Sequence, residues 1–218
     1  MDFEFITARA PLFGQAARLT VTLAFWGIIF SSAVGLVCAV IRFYRVPLLR
    51  QAAAGYIELA RNTPLIVQLF FLYFGLPRLG VVWDGETCAI AGLTFLGGGY
   101  LAEAFRGGLS AVGRGQIEAG LSIGLNRFQL LRYVIIPQAL AVALPAISAA
   151  VIFLMKETSV FSIVALPDLM YVAKDLLKEG YSGESNLMLV ASYLVVILPV
   201  SLAFGYWERR LRFAGFGS

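Results

Sequence analysis

The chain has no histidine and only two cysteines among its 218 residues. The first absence excludes a Ser-His-Asp triad and any imidazole-ligated metal. Cys38 lies deep in one apolar run and Cys88 opens another. Two such residues build no disulfide framework and read as small packing side chains. Charge is scarce as well: 14% of residues are Asp, Glu, Lys or Arg, where a soluble domain carries about 25%. No G-x-x-x-x-G-K-[S/T] phosphate loop occurs, so the chain is not expected to hydrolyse ATP by that route. A membrane-embedded enzyme would be left with Ser/Lys or paired acids for its chemistry. The start, Met1-Asp2-Phe3-Glu4, has neither the basic region nor the small-residue cleavage site of a secretory signal. The first helix is therefore expected to be retained.

What the chain has in quantity is apolar sequence. Residues 19–41, 133–155 and 185–207 are each free of charged side chains, and each is long enough to cross a hydrocarbon core of about 30 Å as a helix. Helices are required there because lipid offers the backbone no hydrogen-bond partner. Two shorter charge-free runs, 62–77 and 87–102, complete the set, the second carrying Gly97-Gly98-Gly99, where helices can approach closely. The expectation is an all-α integral membrane protein, one domain over 1–218, with five helices at roughly 17–41, 57–77, 87–107, 138–156 and 186–207. Alternating the connections puts eleven arginines on one side: Arg42, Arg45, Arg50, Arg61, Arg106, Arg114, Arg127, Arg132, Arg209, Arg210 and Arg212. The other side holds six basic residues, Arg9, Arg18, Arg78, Lys156, Lys174 and Lys178. The positive-inside rule then places the N-terminus outside and the C-terminus in the cytoplasm. The net charge of +4 is read as membrane topology and not as a nucleic-acid face.

The connection 106–137, RGGLSAVGRGQIEAGLSIGLNRFQLLRYVIIP, is far longer than a link between helices needs. Ile117, Leu121 and Leu125 recur at helical spacing, Gly124 interrupts, and Asn126 can cap a second helix carrying Phe128, Leu131 and Val134. Two short helices meeting at a glycine bend are expected at the cytoplasmic surface. A helix pair resting on lipid headgroups would show the same pattern.

Glu118-Ala119-Gly120, then Gly124, then Val134-Ile135-Ile136-Pro137 resembles the EAA loop of ABC-importer permeases, with Gly120, Val134 and Ile136 as conservative departures. GGGYLAEAFRGGL (97–109), IPQALAVALPAI (136–147), RNTPLIVQLFFLYFGLP (61–77) and KETSVFSIVALPDL (156–169) resemble the polar-amino-acid uptake branch of that superfamily. The likeness runs over about 20–212, on a core of about 17–212. It implies the type I ABC-importer permease fold in a multi-pass protein of the bacterial cytoplasmic (inner) membrane, surrounded by membrane lipid. It implies a coupling loop of about 107–137 in which Glu118, Ala119, Gly120, Ser122, Gly124 and Leu125 dock on a cytoplasmic ATP-binding subunit. Two such subunits would bind ATP and Mg, and this chain itself would hold no cofactor. A second permease, identical or a sister chain, and an extracytoplasmic solute-binding protein would complete the assembly. The segment 166–184, starting Leu166-Pro167-Asp168, reads as an outer-surface helix, and the resemblance makes it the contact for the solute-binding protein.

A polar amino acid substrate carries an ammonium and a carboxylate, and a site in lipid must satisfy both. Arg61-Asn62-Thr63-Pro64 has the form of a helix start. If a short helix begins there inside the protein, its N-terminus favours a carboxylate; an ordinary start at the cytoplasmic surface is the alternative. Gln68, on the helix so begun, joins Asn62 and Thr63 in the expected site. Lys156-Glu157-Thr158-Ser159, at the end of the fourth span, is the second group, with Glu157 as the partner for an ammonium. Similar permeases have Lys-Asp-Thr-Ser or Lys-Asn-Ser-Ser there, and a headgroup-level salt bridge is the alternative. Glu103 is a weaker candidate because Arg106 can pair with it. The competing function is an ion-coupled secondary transporter, which would need inverted repeats that five spans do not supply. Uptake that needs ATP and survives loss of the proton gradient separates the two.

Overall fold

The structure is a computed structural model, and it describes residues 3–180 and 182–211. Met1 and Asp2 of the acidic start, and Arg212 of the basic count, lie outside the described residues. Nine α-helices are described there: α1 (Phe3–Phe43), α2 (Leu49–Asn62), α3 (Leu65–Phe70), α4 (Gly85–Ala111), α5 (Arg114–Ser122), α6 (Arg127–Leu130), α7 (Ile136–Glu157), α8 (Leu169–Lys178) and α9 (Ser182–Leu211). A π turn, Leu131–Ile135, joins α6 to α7, and a 3-10 turn, Thr158–Val164, ends that rod. Among the described residues, four helical rods are long and apolar enough to span a membrane: Glu4–Phe43, Gly85–Ala111, Arg127–Val164 and Gly183–Leu211. The pair Leu49–Asn62 and Leu65–Leu79, bent by 101°, makes a fifth.

The expected single helix over 57–77 is thus two helices. Pro64 has no N–H to donate and its ring disfavours helical geometry in the residue before it. Thr63 is accordingly extended, with φ −114° and ψ 123°. The chain resumes at Leu65 and passes through a π turn at Phe71–Gly75 and a 3-10 turn at Leu76–Leu79.

The first helix also differs from its expected start near residue 17. Residues 3–16 carry charges, so they are missed by a search for charge-free runs. Their apolar side chains still pack: Phe5, Phe13 and Ala16 form a core with Leu169, Ala173, Leu176 and Met188 of α8 and α9.

α4 is the central helix, with 61% of its most apolar window buried, against 6% for α9. Small residues let its neighbours come close. A Cβ at Gly35 would lie 2.9 Å from the Ala102 backbone nitrogen, and one at Gly99 3.0 Å from the Ala60 Cβ. Gly97 and Gly98 face the hydroxyls of Ser31 and Tyr56. Ser31 Oγ donates to the Leu93 carbonyl at 3.0 Å, and Tyr56 OH to the Phe95 carbonyl at 2.8 Å. Close backbones and interhelical hydrogen bonds hold helices together where lipid removes the hydrophobic drive between them. The main core gathers Leu23, Leu65, Leu69, Leu93, Leu154, Phe161 and Val164 from α1, α3, α4, α7 and the 3-10 turn.

α8 follows Asp168, whose carboxylate accepts from the Tyr171 backbone N–H at 2.9 Å. This cap is fully buried, one of its oxygens has no hydrogen-bond partner among the described residues, and burial pushes its pKa up to about 6.

Candidate functional site

The break in the second span packs against α4 on one side, with Arg61, Asn62 and Pro64 exposed on the other. Arg61 sits over the Tyr100 ring at 5.3 Å, and its Cγ would meet a Cβ on Gly99 at 3.2 Å. Both residues are near the middle of α4. Arg61, expected in a connection between spans, stands at the end of α2 beside the middle of α4. Beyond the break, Leu65 and Leu69 pack on Gly92. One face of α3, formed by Leu65, Gln68 and Leu69, is thus buried against the bundle, while Pro64, Ile66 and Val67 are exposed.

The polar side chains of the break do not cap α3. Asn62 donates its amide to the Glu58 carbonyl at 2.8 Å and to the Glu58 carboxylate at 3.2 Å, and Thr63 Oγ1 donates to the Leu59 carbonyl at 2.7 Å. Both finish α2; α3 begins at Pro64 with no side-chain cap. Gln68 ties the halves together, donating to the Thr63 carbonyl at 3.0 Å and the Ala60 carbonyl at 3.4 Å. Its side-chain oxygen is buried and has no partner among the described residues. Thr63 and Gln68 open onto a cavity of about 570 Å³, walled by Phe71, Trp83 and Phe95. An acceptor without a partner in such a wall is suited to an incoming N–H.

The second group is split by helical rotation. Lys156 and Ser159 line a groove of about 550 Å³ with Tyr193 and Ser201 of α9. Thr158 is fully buried, and its hydroxyl donates to the Met155 carbonyl at 2.7 Å. Glu157 is half-buried and forms no ion pair with Lys156. The two groups share packing, since Leu65 and Leu69 touch the same core as Phe161 and Val164. They open onto different cavities. Glu103 is engaged: Arg106 donates to it at 2.6 Å and 3.0 Å, and Arg42 of α1 donates to its other oxygen. The link to Arg42 crosses 61 positions, so no local signal reveals it.

The long connection has the expected form. α5 ends in a Schellman turn: Gly124 takes φ +85°, its N–H donates to the Leu121 carbonyl at 3.0 Å, and the Leu125 N–H donates to the Gly120 carbonyl at 3.1 Å. Asn126 starts α6 with a reciprocal capping box, accepting from the Gln129 N–H at 2.9 Å while the Gln129 side chain accepts from the Asn126 N–H at 3.0 Å. Gly120 is buried, and a Cβ there would lie 2.5 Å from Leu130 Cδ1. Glycine in place of the second alanine of the Glu-Ala-Ala pattern thus seats α5 against α6. Glu118, Ala119, Ser122 and Gly124 are exposed and Leu125 half-buried, which leaves this turn a free outer face.

Five candidate spans, one broken beside a walled cavity, together with a capped helix pair outside the bundle, fit a membrane transport subunit. The chain belongs to the family of binding-protein-dependent transport system inner membrane components, whose model matches residues 31–213. It is 36% identical to the "Probable amino-acid ABC transporter permease protein PatM" of Vibrio harveyi, over 90% of this chain and 87% of that one. It is 30% identical to the glutamine transport system permease protein GlnP of Escherichia coli (strain K12), over 97% and 98%. Among solved structures, the crystal structure of an amino acid ABC transporter with histidines superimposes with a TM-score of 0.86 at 33% identity, covering 96% of this chain and 99% of that one. The protein is therefore a multi-pass inner-membrane permease of the ABC-importer type, and its family implies partner ATPase and solute-binding subunits.

Proposed function

We propose that the chain is the permease through which an ATP-driven importer moves a polar amino acid into the cytoplasm. The N-terminus and α8 then face outward, where a solute-binding protein docks, and α5 faces the cytoplasm. Two ATP-binding subunits hold ATP and Mg and engage Glu118, Ala119, Ser122, Gly124 and Leu125, while Gly120, expected among these contacts, is buried under Leu130 and seats the helix instead. A second permease, identical or a sister chain, completes the pore. One observation carries this reading: a rigid, doubly capped helix pair at the end of the Arg127–Val164 rod. A flexible loop would absorb the closure of an ATPase; a Schellman turn and a capping box transmit it. The names of the relatives, amino-acid and glutamine permeases, support the substrate class.

For the substrate, the break supplies Asn62, Thr63 and the unpartnered Gln68 oxygen, and the end of α7 supplies Lys156, Glu157, Thr158 and Ser159. Glu157, half-buried and without an ion pair among the described residues, is assigned to the ammonium and the start of α3 to the carboxylate; because the two groups open onto different cavities, one substrate meets both only when those cavities join during transport. Proteoliposomes holding the assembled transporter test the reading. Uptake of labelled glutamine, in the presence of the binding protein, should require ATP and persist when an uncoupler removes the proton gradient. Uptake that follows an imposed ion gradient without ATP would make the chain a secondary transporter instead.

A further inference from the structure

Where α1 and α4 end, the structure gathers arginines around one hollow of about 520 Å³. Arg42, Arg45, Arg50, Arg106 and Arg114 line it, with Phe43 at its edge. These residues come from five places in the chain: the end of α1, the turn after it, the start of α2, the last turns of α4 and the start of α5. We infer that this hollow is a binding site for the phosphate headgroup of an anionic phospholipid.

Several observations point the same way. The hollow sits at the end of two membrane spans, which is the depth of lipid headgroups. Glu103 holds Arg42 and Arg106 in place, so two guanidinium groups are positioned before any ligand arrives. Arg45, Arg50 and Arg114 have no ion-pair partner among the described residues. Like charges crowded round one hollow repel unless an anion neutralises them. The guanidinium fork matches phosphate oxygens in pairs. Basic pockets between transmembrane helices are a recurrent form of headgroup site.

The backbone supplies an independent indication. Arg45 takes φ +54° and Leu48 φ +65°, a region that glycine enters freely and other residues enter at a cost. Such strain persists where surrounding structure imposes it, and it concentrates at ligand clamps. Here it sets an arginine on the wall of the hollow. The apolar edge, from Phe43, Leu109 and Ile117, suits the glycerol end of a lipid better than a free phosphate ion.

Arg45→Gly is the discriminating variant, because it relieves the strained φ while removing the guanidinium. If Arg45 is only structural, the variant is at least as stable as the wild type and its lipid response is unchanged. Arg50→Gln, on the regular helix α2, is the second variant and does not depend on the turn folding. The transporter is purified in its assembled form, delipidated, and titrated with phosphatidylglycerol, phosphatidylcholine or inorganic phosphate. Bound lipid is counted by native mass spectrometry and stability is followed by thermal unfolding. Wild type should retain phosphatidylglycerol in preference to phosphatidylcholine, and each variant should bind it about fivefold more weakly while keeping its ATPase subunits. Equal retention of the two lipids, or unchanged binding in both variants, overturns the inference. If millimolar phosphate displaces phosphatidylglycerol with the same arginine dependence, the occupant is the free ion and the lipid assignment is wrong. If the variants shed ATPase subunits with lipid binding intact, the hollow belongs to the subunit interface.

Discussion

The turn at Gly124 offers the sharpest test of how the outer helix pair works. Its φ of +85° costs a residue with a Cβ about 1–2 kcal/mol, while Asn enters this region more readily than Ala. Gly124→Ala should therefore reduce the population of the native turn by about 5- to 30-fold relative to competing geometries, and Gly124→Asn by less. Proline is worse on two counts. It fixes φ near −65° and removes the N–H that now donates to the Leu121 carbonyl at 3.0 Å, a combined cost of about 3 kcal/mol or more. No side chain crowds the site, since a Cβ there would meet nothing within 4 Å, so the series reads backbone conformation alone. The expected order of function is Gly, then Asn, then Ala, with Pro inactive. The assay is uptake and substrate-stimulated ATP hydrolysis in proteoliposomes, with membrane insertion checked separately. If Gly124→Pro transports like the wild type, or Ala outperforms Asn, the turn does not transmit the stroke.

Three further outcomes are expected. Glu157→Gln keeps shape and removes charge, so uptake should weaken by about 1.5–3 kcal/mol, roughly 10- to 150-fold, with ATPase assembly intact; wild-type uptake would remove Glu157 from the site. Asp168 titrates near 6 in the folded chain against an ordinary 3.8, so the folded state holds the proton more tightly. Its contribution to stability is fully present below about pH 4 and falls by about 3 kcal/mol as pH rises to about 6. Asp168→Asn retains the cap on Tyr171 and should flatten that part of the pH profile of thermal unfolding, an effect absent if the two profiles coincide. A cysteine placed at Ser122, an exposed position, should resist an impermeant reagent added outside intact cells; ready labelling would invert the proposed orientation.

The parts of this fold that were legible in the sequence are those governed by local rules. Gly124 and Asn126 announce their turn and cap because left-handed φ and side-chain capping select residue types directly. The glycine triplet announces close packing for the same reason. Pro64 announces that a helix starts, but not that the chain turns through 101° there; that angle is set by Leu65 and Leu69 seating on Gly92 and on the Phe161 core. Lys156 to Ser159 read as one polar patch along the chain. In three dimensions Thr158 goes inward and Lys156 with Ser159 goes to a groove, because a helix distributes consecutive residues round its axis by about 100° each. Residues 3–16 carry charge, so a span read from charge-free runs starts too late, although their apolar face packs on α8 and α9.

The continuity of the Arg127–Val164 rod gives these separate features a mechanical relation. α5 is locked to its base through Gly120 and Leu130. The rod runs from there, through a π turn at Leu131–Ile135, to the 3-10 turn at Thr158–Val164. That turn packs on α3, the half of the broken span that bears Gln68. A displacement applied at α5 thus reaches the break through one covalent helix and one packed contact, with no flexible loop between. The weak points of such a lever are its π turn, where the regular hydrogen-bond ladder changes register, and the break itself. Both lie where a change of helix direction would alter the cavity walls without unpacking α1 from α4. α1 and α4 are joined by their glycine contacts and the Ser31 hydrogen bond, Tyr56 ties α2 to α4, and Gln68 ties α3 to the end of α2, so the break is bonded to the frame on both sides.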